Sequence, residues 1–462
     1  MTQLVSGTAL FRSSLGPQRA GLTSQSDLPA AILRHQHRLR LPFNRRVGLR
    51  PMSNRLLQAR RRCRHQPERS FGLAQLDDSA GGAPPMEQRR LDAAAAPLPR
   101  FAWGESGARG RAAAMIPSQP IAAFLAGEGP ILDVRSPAEF AQGHIPGATN
   151  LPLFADAERA EIGTLYKQQG RQAAVLRGLA LVGPRMEALA TALAGAPAGG
   201  QQPAHQLPTA PLRIHCWRGG MRSASVAWLA DQLDLPVLLL EGGYKAYRRW
   251  VLALFERPWP LRLLGGRTGC GKTELLLAMA ARGVAMVDLE GLAHHRGSSF
   301  GALGLPPQPS SEHYENLLAA ALCRLEGAKA IWLEAESSQV GRCRIPAGLW
   351  RQMQAAPVLE VQRPLEQRVA HLVTIYGVQE PQALAEATRR IAKRLGPQRT
   401  SAALEAITQR DWAAACLQML DYYDRCYDHE LGQHRVCTVE LGELSPAAAT
   451  QQLLEQGLIS TD

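Results

Sequence analysis

The stretch LRLLGGRTGCGKTELLLAMAARG, residues 261–283, decides the fold of the C-terminal half of the chain. Its apolar start predicts a strand, and its end, TELLLAMAARG, predicts a helix. The turn between them, GRTGCGKT, has the full G-x-x-x-x-G-K-[ST] spacing of a phosphate-binding loop. In such a loop the backbone amides cradle phosphates, the lysine neutralises them, and the hydroxyl is placed to hold Mg²⁺. The predicted phosphate-binding residues are Gly266, Gly269, Gly271, Lys272 and Thr273.

A second loop between a predicted strand and a predicted helix lies in RIHCWRGGMRS, Arg213 to Ser223. Backbone amides converge in such a loop, and the N-terminus of the following helix adds partial positive charge. Both effects favour a thiolate at Cys216. Arg222 is expected to fork onto an oxyanion, and Arg218 supplies a second guanidinium. These three residues are the candidate catalytic residues.

The length of this loop leaves its chemistry open. Seven residues run from Cys216 through Arg222, which fits the pattern HCx5R[ST] of Cys-dependent phosphatases. A loop that takes sulfur or selenium from a phosphate-bearing donor needs the same room for a tetrahedral oxyanion. By itself the loop favours a phosphatase and a sulfur or selenium transferase about equally.

The net charge of +12 on the 462 residues is concentrated in residues 1–114. That low-complexity segment holds 19 Arg, no Lys and 7 acidic residues, whereas basic and acidic residues balance from residue 115 onward. Three interpretations compete: a disordered RNA-binding arm, a transit peptide, or an upstream stretch wrongly included in the gene model, which we favour. A polyanion is then expected to bind through local patches on the remaining chain.

Cysteine spacing and hydropathy exclude several classes of protein. None of the eight cysteines forms a CxxC pair, and no histidine cluster completes a zinc pattern, so no zinc or other resident metal site is predicted. Free thiols in a chain of this length indicate a reducing, cytoplasmic compartment. No apolar run approaches the ~18 residues that a membrane helix needs, so no membrane association is expected.

From residue 115 the pattern alternates strands and helices, which predicts an α/β protein with parallel sheets. ERPWP (256–260) is the predicted linker, residues 195–211 form a predicted insertion loop, and residues beyond about 366 are expected to be helical. The predicted organisation is an extension over 1–114, a first domain over 115–255 and a second domain over 256–462.

Acidic residues end two predicted strands that follow the phosphate-binding loop. Asp288 ends VAMVD, and Glu334 and Glu336 end AIWLEAE. An acid at the end of such a strand can reach a metal or an attacking hydroxyl, so these residues are candidate Mg²⁺ or substrate ligands, Asp288 foremost. The alternative role is helix capping and loop hydrogen bonding. His294 and His295 lie on a predicted loop and are expected to be structural.

DVRSPAEFAQGHIPGATNLPL (133–153) resembles the N-terminal motif of rhodanese-fold domains. In that family the motif supports the fold and frames the active loop, and Asp133, Arg135 and Glu139 occupy the matching positions. Ser136 and Glu139 also have the spacing of a helix capping box. LEGGYKAYRRW (240–250) resembles the stretch that closes the same domain. The resemblance predicts a rhodanese-like domain, followed by a P-loop NTPase-like domain with a helical C-terminal part.

Five motifs in this order resemble the tRNA 2-selenouridine synthase family, over about residues 115–450: HCWRGGMRS, GGYKAYR, GRTGCGKT, DLEGLAHHRGSSFG and ESSQVGRCRIP. The resemblance implies an enzyme that replaces sulfur by selenium in 2-thiouridine at the wobble position of the anticodon. Selenophosphate is then the selenium donor. The resemblance also implies S-geranylation with geranyl diphosphate, which turns a poor leaving sulfur into a good one.

The same resemblance implies roles for the two loops. Cys216 would accept or pass selenium, with Arg218 and Arg222 binding selenophosphate. Lys272 and Thr273 would bind a diphosphate. The main alternative is a Cys-dependent phosphatase with a nucleotide-binding domain. A second domain carrying DLEGLAHHRGSSFG, which a phosphatase does not need, argues against it. A third class, a non-enzymatic nucleotide-regulated module, is disfavoured by the intact Cys–Arg loop.

Binding of tRNA requires basic surface, and two clusters offer it. Either is equally well explained as a solvated helix face, and the aromatic residues of the second could stack on bases. The clusters are Arg389, Arg390, Lys393 and Arg394, and Lys245, Arg248 and Arg249.

Overall fold

A computed structural model describes residues 116–195, 210–431 and 436–461, which belong to one compact unit. The Arg-rich extension over 1–114 and most of the predicted insertion loop over 195–211 lie outside the described residues. Two parallel sheets, each followed or flanked by helices, confirm the predicted α/β class.

The first sheet has five parallel strands in the order β1-β5-β4-β2-β3. Cys216 directly follows β4, the middle strand. The strands are β1 Ser118–Gln119, β2 Ile131–Asp133, β3 Ala148–Asn150, β4 Leu212–His215 and β5 Val237–Leu240. The helices are α1 Ile121–Ala126, α2 Pro137–Gln142, α3 Asp156–Val182, α4 Met186–Gly195, α5 Met221–Gln232 and α6 Gly243–Leu254. The predicted capping box of Ser136 and Glu139 is present at the start of α2.

The second sheet has four parallel strands in the order β11-β10-β6-β7. The glycine-rich loop joins β6 to α7, as predicted. The strands are β6 Leu261–Gly265, β7 Ile331–Glu334, β10 Val358–Gln362 and β11 Val436–Glu440, and β8 Gln339–Val340 pairs with β9 Cys343–Arg344 as an antiparallel hairpin. The helices beside these strands are α7 Lys272–Ala281, α8 Leu289–Ala293, α9 Ser311–Arg324, α10 Ala347–Ala355 and α15 Pro446–Glu455.

The C-terminal part is helical over most of its described length. Its helices are α11 Leu365–Tyr376, α12 Pro381–Leu395, α13 Pro397–Thr408 and α14 Trp412–Leu431. Two details differ from expectation. The stretch VAMVD forms only an isolated bridge, Met286 to Trp332, instead of a strand. Strand β11 interrupts the predicted helical region, because its backbone completes the sheet by pairing with β10 in parallel.

The largest apolar core is shared by the two sheets. Phe124, Tyr244 and Tyr247 of the first part pack in one cluster with Leu318 and Ile331 of the second. All five side chains are buried. Burial of this kind contributes roughly 1.5–3 kcal/mol per large apolar side chain, so the cluster fastens the two parts together. Among the described residues, no helix is long and apolar enough to cross a membrane.

Candidate active site

The Cys216 sulfur lies in a ring of hydrogen-bond donors at the end of β4. Its Sγ is 3.2 Å from the Ser223 hydroxyl and 3.4 Å from the Gly220 amide, which donates to it. Burial alone would raise the pKa of Cys216. Hydrogen bonds from the Ser223 hydroxyl and from the amides of Arg218, Ser223 and Gly220 outweigh burial and hold that pKa below its usual value. The loop therefore favours the thiolate, the nucleophilic form.

Two glycines allow the loop to pack against the turn that begins α6. Gly243 has a φ of +57°, and a Cβ there would collide with the carbonyl oxygen of Cys216. Gly219 has a φ of +65° and faces the same turn. The amide of Tyr244 donates to the Cys216 carbonyl at 2.8 Å. Only glycine fits this approach, so the GGY motif fixes the floor of the loop.

Arg222 lies in the first turn of α5 and points toward α2. Its Nη1 donates to Oε2 of Glu139 at 2.6 Å, and both side chains are about one-fifth exposed. Burial raises the pKa of Glu139. The hydrogen bond and the charge of Arg222 lower it by more, so the pKa of Glu139 lies below its usual value. The capping-box acid therefore orients the guanidinium predicted to bind an oxyanion. Arg218 lies on the outside of the loop and is exposed.

A buried charged pair supports the loop from behind. Arg135 Nη2 donates to Asp133 at 2.6 Å, and its guanidinium carbon lies 3.7 Å from the centre of the Tyr244 ring. His215, next to Cys216, is fully buried 3.8 Å from the same carboxylate. Burial lowers the pKa of His215 to about 4, so this imidazole is neutral at pH 7. Asp133 and Arg135 thus hold the positions that the rhodanese resemblance implied.

The second loop has the geometry expected of a phosphate cradle. Gly269 and Gly271 have φ of +86° and +75°, and a Cβ on Gly269 would strike the backbone of Arg368. Lys272 begins α7, and its Nζ donates to the Gly266 carbonyl at 2.7 Å. This bond holds the ammonium against the loop. Cys270 is buried, which raises its pKa, so it is a packing residue.

The Thr273 hydroxyl contacts a carboxylate that the sequence analysis missed. Thr273 Oγ1 donates to Glu290 Oε2 at 3.0 Å. Asp288, the predicted ligand, instead caps the short helix α8 by accepting the Gly291 amide at 2.6 Å. The only sequence signal for Glu290 was its place in DLEG, two residues beyond the predicted strand end.

The two other predicted acids lie close to the Glu290 carboxylate. Glu334 is fully buried at the end of β7 and accepts the Leu289 amide at 2.8 Å. Glu336 lies against Gly297, where a Cβ would strike its carboxylate. Burial raises the pKa of Glu290 and raises that of Glu334 strongly. In the described ranges, no group of three or more His, Cys, Asp or Glu side chains is arranged to hold a metal ion.

Helix α14 packs against the phosphate-binding loop, residues 266–273. Arg368 bridges the Thr268 carbonyl at 2.9 Å and the Asp424 carboxylate of this helix at 3.0 Å. Arg267 of the loop pairs with Asp428 at 2.9 Å. The loop is therefore held between α11 and α14, a contact that spans more than 150 residues of sequence and has no local sequence signal.

The two basic clusters are each split by the fold. Arg248 turns inward, where it pairs with Glu315 and donates to Asn316 Oδ1 at 2.5 Å. Lys245 and Arg249 remain exposed. The neighbouring Tyr244 and Tyr247 are buried, so they cannot stack on bases as the sequence suggested.

In the other cluster, Arg390 donates to the Ser299 carbonyl at 2.7 Å and so fastens α12 to the 294–301 loop. Arg389, Lys393 and Arg394 are exposed on the same helix. Arg248 is thus lost from the surface of the first cluster, whereas Arg390 stays exposed while bonded to the Ser299 carbonyl.

The Cys216 loop is connected to the second sheet through buried polar contacts. The Tyr244 hydroxyl donates to Glu312 Oε1 at 2.8 Å and accepts from Asn316 Nδ2 at 2.8 Å, both on α9. Asn316 Nδ2 also donates to the His144 carbonyl at 2.9 Å. Tyr244 therefore supports the Cys216 carbonyl through its amide and joins the two parts of the protein through its hydroxyl.

The fold and the two loops define the class: a rhodanese-like domain with a thiolate loop, followed by a P-loop domain. Family models match accordingly, a rhodanese-like domain over residues 118–182 and the tRNA 2-selenouridine synthase AAA domain over residues 259–452. Curated relatives named tRNA 2-selenouridine synthase match at length. Those from Marinobacter nauticus and Hydrogenovibrio crunogenus are each 35% identical, covering 66% and 67% of this chain and 89% and 91% of the relative. The one from Hahella chejuensis is 39% identical over 68% of this chain and 89% of the relative. The chain belongs to the tRNA 2-selenouridine synthase family.

Proposed function

We propose that this protein replaces the sulfur of 2-thiouridine by selenium at the wobble position of tRNA, with selenophosphate as the selenium donor. The names of its relatives supply the tRNA and the selenouridine product. The observation that carries the proposal is the set of hydrogen-bond donors that favours the thiolate of Cys216, on a loop of seven residues.

Cys216 is the nucleophile in this scheme. Its thiolate attacks the phosphorus of selenophosphate, the phosphorus–selenium bond breaks, and selenide leaves with the electron pair. Water then hydrolyses the sulfur–phosphorus bond, which releases phosphate and restores the thiolate. The loop amides and the guanidiniums of Arg218 and Arg222 bind the phosphate part of selenophosphate. Arg222 reaches its position through Glu139, so the anion meets an arginine that is already oriented. Arg218 is exposed and is free to close over the donor.

The phosphate-binding loop serves a separate half-reaction, S-geranylation with geranyl diphosphate. The thiocarbonyl sulfur attacks the first carbon of the geranyl group, the carbon–oxygen bond breaks, and diphosphate leaves with the electron pair. Lys272 and the loop amides stabilise that departing charge. In the next half-reaction selenium enters at the same ring carbon and the geranyl thiolate leaves.

The Thr273 hydroxyl and one carboxylate, that of Glu290, suit a Mg²⁺ ion whose other ligands are a diphosphate and water. Thr273 and Glu290 would hold the ion, since their oxygens already meet at 3.0 Å, with Glu336 beside Glu290. Bound there, Mg²⁺ would neutralise the diphosphate. Glu290 would orient Thr273 in either case.

All seven described cysteines are free thiols, which supports a reducing, cytoplasmic setting for this chemistry. A direct test of the proposal is mass spectrometry of tRNA nucleosides from cells with and without the gene. Loss of 2-selenouridine, restored by the gene and not by its C216A variant, is expected. Unchanged 2-selenouridine in cells without the gene would overturn the proposal.

A further inference from the structure

The exposed face of α6 carries two cations that the packing of the protein does not use. Lys245 and Arg249 are one helical turn apart, at positions i and i+4. Within the described part of the chain, neither makes an ion pair, whereas Arg248 between them is paired with Glu315. Like charges at this spacing repel each other, so an anion bound from outside would stabilise the pair.

These two cations lie beside the mouth of the Cys216 loop. The Lys245 amide donates to the Trp217 carbonyl at 2.9 Å, which ties the start of the helix to the loop. The Arg249 guanidinium runs back along the helix toward Gly242, with Nη2 3.8 Å from where a Cβ on that glycine would lie. Gly242 in turn faces Gly219 of the loop. The loop itself adds the exposed Arg218.

The acidic group nearest in sequence does not cancel this charge. Glu241 precedes the turn, and its carboxylate accepts a hydrogen bond from Ser118 at 3.4 Å. Three cations and one acid leave a net positive rim, and its position is fixed by backbone hydrogen bonds and by the glycine contacts. Long-range charge on the described chain cannot provide the attraction, because basic and acidic residues balance from residue 115 onward.

We infer that Lys245 and Arg249, which lie outside the donor-binding Arg218, form a cationic rim that binds the phosphodiester backbone of tRNA next to the wobble nucleotide. This rests on the proposed function, since it names the surface that holds the proposed substrate at the Cys216 loop. Phosphates flanking an extruded base lie within a few ångströms of it, so cations at the mouth of the loop are where they are needed. A small selenium donor needs only the inner loop.

The test is binding of a fluorescent anticodon stem-loop that carries 2-thiouridine, measured against salt concentration. The double variant K245Q/R249Q should lower the slope of log K against log [salt] by about 1.4, for two contacts to single-stranded phosphates. If the variant and the unaltered protein bind equally at 1 M salt, that change makes the variant bind roughly 25-fold more weakly at 0.1 M salt. The matched control R389Q/K393Q removes the same charge at the same spacing from α12 and should change the slope less.

The kinetic arm separates this rim from a site for the small anion. In K245Q/R249Q the KM for the stem-loop should rise while the KM for selenophosphate stays the same. An unchanged salt slope, or a raised KM for selenophosphate with unchanged RNA affinity, would show that the rim does not bind tRNA as inferred. If the unaltered protein fails to bind the stem-loop at all, it is the proposed function that fails. Circular dichroism of the variants excludes loss of folding.

Discussion

Arg222 Nη1 donates to Glu139 Oε2 at 2.6 Å, and this bond joins the helix after the thiolate loop to the capping box of α2. The guanidinium is thereby oriented before any substrate arrives. Glu139→Gln keeps the shape of the side chain and removes its charge. The pair is partly exposed, so we expect the low end of the range for charge-assisted bonds, about 1.4 kcal/mol, which is a tenfold slower selenation.

The matched control is Glu161→Gln, which breaks the exposed pair of Glu161 with Arg177 on α3. Exposed pairs contribute little, so this variant should leave the selenation rate as it is. A Glu139→Gln variant that selenates as fast as the unaltered protein would show that Arg222 does not depend on Glu139.

The Ser223 hydroxyl, 3.2 Å from the Cys216 sulfur, is the side-chain contribution to the low pKa of that thiol. Ser223→Ala removes it while the amides of the loop remain, so the pKa of Cys216 should rise. The measurement is thiolate ultraviolet absorbance against pH, with C216A as the blank. Ser225→Ala, on the exposed side of α5 with its hydroxyl bonded to Met221, should not move the midpoint. Equal midpoints in both variants would contradict the assignment.

Asn316 is fully buried where the two parts meet and serves His144, Tyr244 and Arg248 at once. Asn316→Ala leaves buried polar groups without partners, which costs roughly 1–3 kcal/mol of unfolding free energy. Urea denaturation followed by circular dichroism measures it. The unaltered protein should unfold in one transition, because the two sheets share a core. Two separate transitions in the unaltered protein would contradict a fastened interface.

The His313 ring lies 4.0 Å from the His144 ring at the same interface, and burial lowers the pKa of His313 to about 4. The unfolded chain takes up the proton near pH 6.5, while the folded protein resists it until about pH 4. The unfolded state therefore binds more protons in that window, and stability contributed by this group is lost as pH falls from 6.5 toward 4. The slope is at most about 1.4 kcal/mol per pH unit for one histidine.

The buried acids Glu290 and Glu334 act in the opposite direction, because their pKa values are raised. The histidine contribution is therefore read from a difference between two proteins. His313→Phe should flatten the fall in unfolding free energy between pH 6.5 and 4.5, as measured by urea titrations at several pH values. Parallel curves for the two proteins would refute the assignment.

The sequence predicted both loops and their supporting motifs because each rests on local chemistry. A strand, glycines and a helix N-terminus recur within a dozen residues at Cys216 and at Lys272, and Ser136 with Glu139 forms a capping box three residues apart. Long-range contacts carried no such signal. Nothing local shows that Arg248 pairs with Glu315 while Lys245 does not, or that β11 completes a sheet with β10.

Glu290 shows why the sequence alone could not assign the carboxylate that contacts Thr273. The sequence favoured Asp288, the acid at the predicted strand end, as the partner of the phosphate site. A helix that starts at Leu289 turns Asp288 into its cap and rotates Glu290 toward Thr273. A shift of two residues in an element boundary thus decides which carboxylate faces the site.

We propose that two loops divide the reaction, with selenium handled at Cys216 and the diphosphate of geranyl diphosphate bound at Lys272. The most direct measurement is nucleoside mass spectrometry of 2-thiouridine tRNA incubated with geranyl diphosphate and selenophosphate. C216A should accumulate S-geranylated nucleoside and form no 2-selenouridine, whereas K272A should form no S-geranylated nucleoside. Equal loss of both products in C216A would contradict the account.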